Sequence, residues 1–143
     1  MAVTVSHHVD FRKIAKEAAA AASEKKAVDI VVLDIRKDSD VADFMIVAGA
    51  ESSPQLRAIY EGVVARLQDI GIRLLRQDGH AKDRWIALDY GGLLVHILLS
   101  EARAFYRLEH MWDGPRTMVW QEGIRDRPAV TPAGRKPGSR GVR

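Results

Sequence analysis

Cysteine is absent from all 143 residues. That excludes disulfide scaffolds, zinc ribbons, iron–sulfur sites and thiol catalysis, and it suits a reducing, cytoplasmic setting. Long apolar runs are lacking too. The longest, Ile30–Leu33, Phe44–Ala48 and Ala18–Ala22, fall far short of the ~20 residues that cross a bilayer. The first eight residues, Met1 to His8, show no basic stretch leading into an apolar one, so no secretory signal is expected. Neither a P-loop nor a GxSxG elbow occurs. Proline is scarce ahead of Asp113, where Pro54 stands alone among the five in the chain.

What is present is globular composition, 47% hydrophobic and 29% charged, in a length of about one domain. The formal charge of +3 is not a property of the whole chain. From Gly114 to Arg143 seven basic residues stand against two acidic ones, while the first 113 residues hold 15 basic and 17 acidic. The pI of 9.4 is therefore set by the C-terminal segment, and a basic nucleic-acid groove in the body is not indicated. Four prolines and five of eleven glycines also lie after Asp113. Apolar periodicity stops there, except at Met118-Val119-Trp120. The expectation is a domain over residues 1–113 and a basic, flexible extension over 114–143. The basic residues of the extension serve either to adhere to RNA or simply to keep the chain soluble.

The body alternates helix and strand signals. Val9 to Lys26 carries Phe11, Ile14, Ala15, Ala18 and Ala22 on one helical face. Val28 to Ile35 and Asp43 to Gly49 are β-branched and almost continuously apolar, as central strands covered on both faces are. The next helix opens with Ser53 as N-cap and Pro54 behind it and closes at Gly71. Leu56, Ile59, Tyr60, Val63, Val64, Leu67 and Ile70 mark its face. Arg73 to Arg76 reads as a short strand, and Gln77-Asp78-Gly79 as a turn. Arg84 to Tyr90 and Leu93 to Leu99 form a hairpin across Gly91-Gly92. A last helix runs from Ser100, as N-cap, to Trp112. The order α-β-β-α-β-β-β-α predicts an α/β (α+β) domain, a mixed five-stranded sheet with helices packed on it.

A two-residue turn at Gly91-Gly92 sets Trp85 opposite Leu98, Ala87 opposite His96 and Asp89 opposite Leu94. Because side chains alternate faces, Ile86, Leu88, Tyr90, Leu93, Val95 and Ile97 share an apolar face. Trp85, Ala87, Asp89 and His96 share the other. Either this second set is a site, or Trp85 packs under a helix and His96 is a hydrogen-bonded core histidine. On the last helix Phe105, Leu108 and Trp112 form a packing stripe, and Tyr106 and Glu109 are neighbours beside it. An aromatic next to a carboxylate at the edge of a core stripe suits a partner surface; the plainer reading is an amphipathic helix with a solvated face.

Catalytic signatures are thin. Asp38, Asp40 and Asp43 fail as a calcium loop, since Ala42 and Asp43 stand where a ligand and the turn glycine belong and Gly49 replaces the bidentate acid. They fail as the acidic pair of a nucleotidyl transferase as well, because Ile35-Arg36-Lys37 precedes them and no Gly-Ser does. His7 and His8 are adjacent at the terminus and make a poor metal site. No cofactor or metal is expected. A metal-dependent nucleotidyltransferase-like enzyme using Asp38, Asp40 and Asp89 is the competing reading.

Three stretches, VVLDI, SDVADFMIVAGAESSPQLRAI and WIALDYGGLLVHILLSEARAFYRLEHMW, carry a resemblance. Over residues 10 to 112 the chain resembles the Iojap/YbeB family of ribosomal silencing factors. The resemblance implies a nucleotidyltransferase-like fold without catalytic machinery. It further implies binding to the large ribosomal subunit through its protein uL-fourteen, which blocks joining of the small subunit and represses translation when nutrients are scarce. A role in large-subunit assembly is also discussed for the family, and many members associate as homodimers. On this resemblance Trp85, Tyr106, Leu108 and Glu109 match the partner-binding motif, with Asp89 as an addition. The segment after Trp112 departs from the family pattern, and no family function is carried onto it.

Overall fold

The computed structural model describes residues 9–37, 40–80 and 82–102 and, for its backbone, 116–121. Helix α1, Phe11–Glu24, is capped by Asp10, whose carboxylate accepts from the N–H groups of Arg12 and Lys13, two donors that the first helical turn cannot pair. Its buried side is Ile14 with Ala15, Ala18, Ala19, Ala21 and Ala22. Side chains this small let the helix lie close to whatever it covers. Helix α2, Ser53–Asp69, is capped by Ser52, one residue earlier than expected, since it is Ser52 whose Oγ accepts from Gln55 N–H at 3.2 Å. Pro54 then falls in the first turn, where a missing donor costs nothing.

Both helices end in the same way. In α1 the Ala27 N–H reaches Ala22 O and the Lys26 N–H reaches Ser23 O; in α2 Ile72 reaches Leu67 O and Gly71 reaches Gln68 O. This closing pair of bonds needs a left-handed residue at its centre, supplied by Gly71 at φ 83° and by Lys26 at φ 69°. Gln55 joins the two helices. Its Nε2 donates to Lys25 O and Lys26 O at 3.1 and 2.8 Å, and its Oε1 accepts from Glu51 N–H at 2.7 Å. Arg66 of α2 adds ion pairs to Glu17 and Glu24 of α1 at 2.8 and 2.5 Å.

The sheet holds six strands in the order β3-β4-β5-β2-β1-β6. They are β1 Val28–Asp34, β2 Phe44–Ala50, β3 Arg76–Asp78, β4 Trp85–Asp89, β5 Leu93–Leu99 and β6 Arg116–Gln121. Only β2 and β5 run parallel; every other neighbouring pair is antiparallel. The α+β class with a mixed sheet is as expected, and β2 is buried along its whole length. Two details differ. The third strand lies at Arg76–Asp78, not Arg73–Arg76, because the ladder with β4 runs over that span: Arg76 faces Asp89, Gln77 faces Leu88 and Asp78 faces Ala87. Polar residues are tolerated there because the strand is an edge.

The second difference is β6, which makes the sheet six-stranded and reaches past the expected boundary at Asp113. It pairs along β1, with Gln121 opposite Val31, Thr117 opposite Leu33 and Arg116 opposite Asp34. Its short apolar run is hidden in a Pro-, Gly- and Arg-rich stretch whose composition dominates any local reading. Residues 100–102 are helical; the rest of the expected last helix, through Trp112, lies outside the described residues.

One sheet face packs α1 and α2 against Ile30, Val32, Phe44, Ile46, Ile86, Leu88, Val95 and Ile97. The opposite face gathers Leu33, Ile35, Met45, Val47, Leu98 and Ala102, with Val31, Trp85 and Leu94 against them. Truncation separates the two parts of the C-terminal segment. Ending the chain at Asp113 strips β1 of a ladder partner and should lower stability by ~2 kcal/mol or more. Ending it at Gln121 should leave the melting temperature near that of the full chain, and parallel thermal melts compare the two.

Candidate partner-binding face

The hairpin of β4 and β5 has the register that a two-residue turn demands. Trp85 lies opposite Leu98, Ala87 opposite His96 and Asp89 opposite Leu94, and Tyr90 N–H closes the turn on Leu93 O at 2.9 Å. Ile86, Leu88, Val95 and Ile97 accordingly enter the core beneath α1 and α2. Trp85, Ala87, Asp89 and His96 belong to the other face, as expected from alternation.

On that face the indole and imidazole meet. Trp85 Nε1 donates to His96 Nδ1 at 3.0 Å, with ring centroids 5.8 Å apart and planes inclined by 61°. The acceptor must be an unprotonated nitrogen, so the neutral ring carries its proton on Nε2. Burial disfavours the imidazolium and pushes the His96 pKa down from 6.5 to about 4. The hydrogen-bonded histidine anticipated from the sequence is therefore present, and its partner is the candidate tryptophan itself. A diagonal pair across a hairpin, within reach of aromatic rings, is the signal that would have assigned His96 to the site.

Asp89 has a local task. Its Oδ1 accepts from Gly91 N–H at 2.8 Å, an Asx turn that stabilises the hairpin connection, where Gly91 takes φ 94°. Arg84, just before β4, pairs with Glu101 at 2.7 Å, an exposed pair of small energetic weight. Tyr106, Leu108 and Glu109 lie outside the described residues, so the structure brings together Trp85 and His96 but does not place the helical half of the expected site.

The competing enzymatic reading rests on Asp38, Asp40 and Asp89. Asp38 lies outside the described residues, and among the described residues no group of three or more His, Cys, Asp or Glu side chains is placed to hold a metal. Asp89 lies level with Met45 through Leu94, near the amino end of the parallel β2–β5 pair. Open sheets of this kind more often bind ligands outside the carboxyl ends of their parallel strands. At that end lies a cavity of about 320 Å³ lined by Ala50, Glu51, Leu99, Ser100 and Glu101.

Comparison with known proteins supplies the family. The family model described as "Ribosomal silencing factor during starvation" matches residues 8–139. The ribosomal silencing factor RsfS of Bacillus subtilis is 34% identical over 105 residues, covering 73% of this chain and 89% of its own length. The factor of the same name from Chromobacterium violaceum is 31% identical, covering 76% and 88%. A crystal structure of a Chromobacterium violaceum protein superposes with TM-score 0.71 at 31% identity, covering 74% of this chain and 88% of that one. The α+β sheet is shared with that crystal structure, and the family model and the named relatives define the class as ribosomal silencing factors. The chain belongs to the ribosomal silencing factor family.

Two outcomes follow for the face. Between pH 6.5 and about 4 the unfolded chain binds a proton at His96 that the folded chain excludes, so stability falls with acidity across that window and this group is silent outside it. Denaturant titrations should show ~2 kcal/mol lost from pH 7 to pH 5 beyond the loss in His96→Leu. Asp89→Asn keeps an oxygen for Gly91 and should leave the melting temperature nearly unchanged, whereas Asp89→Ala should cost ~1 kcal/mol.

Proposed function

We propose that the protein binds the large ribosomal subunit through its protein uL-fourteen and represses translation by keeping the small subunit from joining. The observation that carries this reading is Trp85, an indole held by a hydrogen bond on the sheet face opposite α1 and α2, in a chain of this family. The names of the bacterial relatives support a silencing role. A mouse relative, 25% identical over 92 residues and covering 62% of this chain and 40% of its own length, is named for mitochondrial assembly of the large ribosomal subunit. That name supports the large subunit as the partner.

Aromatic anchors and a few desolvated charges dominate interface energetics. In this reading Trp85 and Tyr106 supply buried aromatic area, Leu108 fills the space beside them, and Glu109 pairs with a Lys or Arg of the partner. Asp89 adds a carboxylate at the hairpin end, where it already holds the turn. With 15 basic and 17 acidic residues through Asp113, the body carries a mildly acidic balance that suits a basic ribosomal protein and speeds encounter. Repression then needs no bond made or broken. Two bodies cannot share one docking face, and the extent of exclusion follows occupancy. The site of action is the cytoplasm, where bacterial ribosomes work.

Co-sedimentation with purified large subunits tests the reading directly. Trp85→Ala and Glu109→Lys should each weaken binding at least ~30-fold, as losing one side of a desolvated pair or an anchor does. Both should lower the inhibition of subunit joining in proportion, with melting temperatures showing that the fold survives. Unchanged binding in both variants refutes the assigned face. Nucleoside triphosphate with magnesium should give no thermal shift, although a ligand at 100 times its Kd would add ~2.7 kcal/mol. Residues 122–143 carry six basic and two acidic side chains. If they touch ribosomal RNA, removing them should flatten the salt dependence of binding.

A further inference from the structure

An aromatic anchor contributes most to binding when its ring is already held in the bound orientation, because ordering a free side chain costs affinity. The hairpin supplies such a hold. Trp85 and His96 are diagonal neighbours, since Trp85 faces Leu98 and His96 faces Ala87. Ala87, the residue directly across from His96 on the same face as the indole, is small enough to leave room for the large ring to lean toward β5. The lean ends in the 3.0 Å bond from Nε1 to Nδ1 and an edge-on ring contact.

We propose that His96 is the positioning residue for Trp85: its Nδ1 accepts the indole N–H, fixes the ring on the face, and so presents the apolar surface of the indole to the ribosomal partner. This rests on the docking role proposed above for Trp85. The indole has one polar group, its N–H, and His96 occupies it. The partner then meets hydrocarbon whose hydrogen-bonding demand is already met, and no indole donor has to be stripped of water on docking. Because burial keeps the imidazole neutral near pH 7, the acceptor is available throughout the physiological range.

The experiment compares the full-length protein with His96→Leu, which removes the acceptor, and His96→Asn, whose Oδ1 stands close to the position of Nδ1. The Trp85 indole N–H resonance is identified by its loss in Trp85→Phe, and its exchange with solvent is followed by NMR alongside large-subunit affinity. His96→Leu should speed that exchange and weaken affinity ~10-fold at unchanged fold, while His96→Asn should keep both within ~3-fold of the parent, the scale expected when preorganisation is lost or retained. Unchanged exchange in His96→Leu overturns the positioning role. So does faster exchange with full affinity, provided Trp85→Ala does lose affinity. Full affinity in Trp85→Ala overturns the docking reading itself, and the proposal with it, whereas the exchange data report on the hydrogen bond alone; the two failures are thereby told apart.

Discussion

The double-glycine turn at Gly91-Gly92 is the constraint on which the rest of the molecule depends. Its length fixes which β4 residue faces which β5 residue, and a slip of one position would exchange the two faces of the hairpin. The turn is held from several directions. Asp89 accepts from Gly91 N–H, and the Gly92 carbonyl accepts from Asp43 and Phe44 N–H groups at 2.9 and 3.1 Å, which ties the hairpin to the start of β2. A Cβ on Gly92 would lie 2.3 Å from the Phe11 ring, so the absence of a side chain is what lets α1 close over the turn. Helix, hairpin and the parallel strand pair are registered to one another at this point.

From that registration comes a division of labour between the faces. Beneath α1 and α2, alanines and branched aliphatics build a close-packed layer in which even the Tyr90 side chain is enclosed and its phenol is pushed up to about 12. On the other face the packing is apolar toward β1 and β2, with Leu33, Met45 and Val47, and Trp85 and His96 pair on the hairpin. In the proposed reading, recognition is assembled on the paired strands β4 and β5, which hold geometry better than a loop.

Much of this was legible in the sequence for a physical reason. Alternation along β4 and β5 is strict, the turn chemistry is unambiguous, and together they give the observed pairing of Trp85, Ala87 and Asp89 residue by residue. Helix α2 was equally clear from its periodicity, with only the cap displaced from Ser53 to Ser52, since two adjacent serines offer the same oxygen. The third strand was shifted because Arg76-Gln77-Asp78 has the composition of a turn and is a strand only through its pairing with β4. Strand β6 escaped for a related reason, as its identity rests on β1, more than 80 residues earlier in the chain. The bond between Trp85 and His96 required side-chain direction as well as register. Asp89 illustrates the converse: a residue singled out for recognition has a demonstrable structural task.

The neutral imidazole has a consequence for how such a factor can be governed. With a pKa of about 4 for His96, a fall of one unit from neutrality leaves only about one molecule in a hundred protonated there. A starving cell whose interior drifts acidic would not loosen the indole by that route. Under the proposed function, release of the partner would then have to come from something other than protonation of this imidazole.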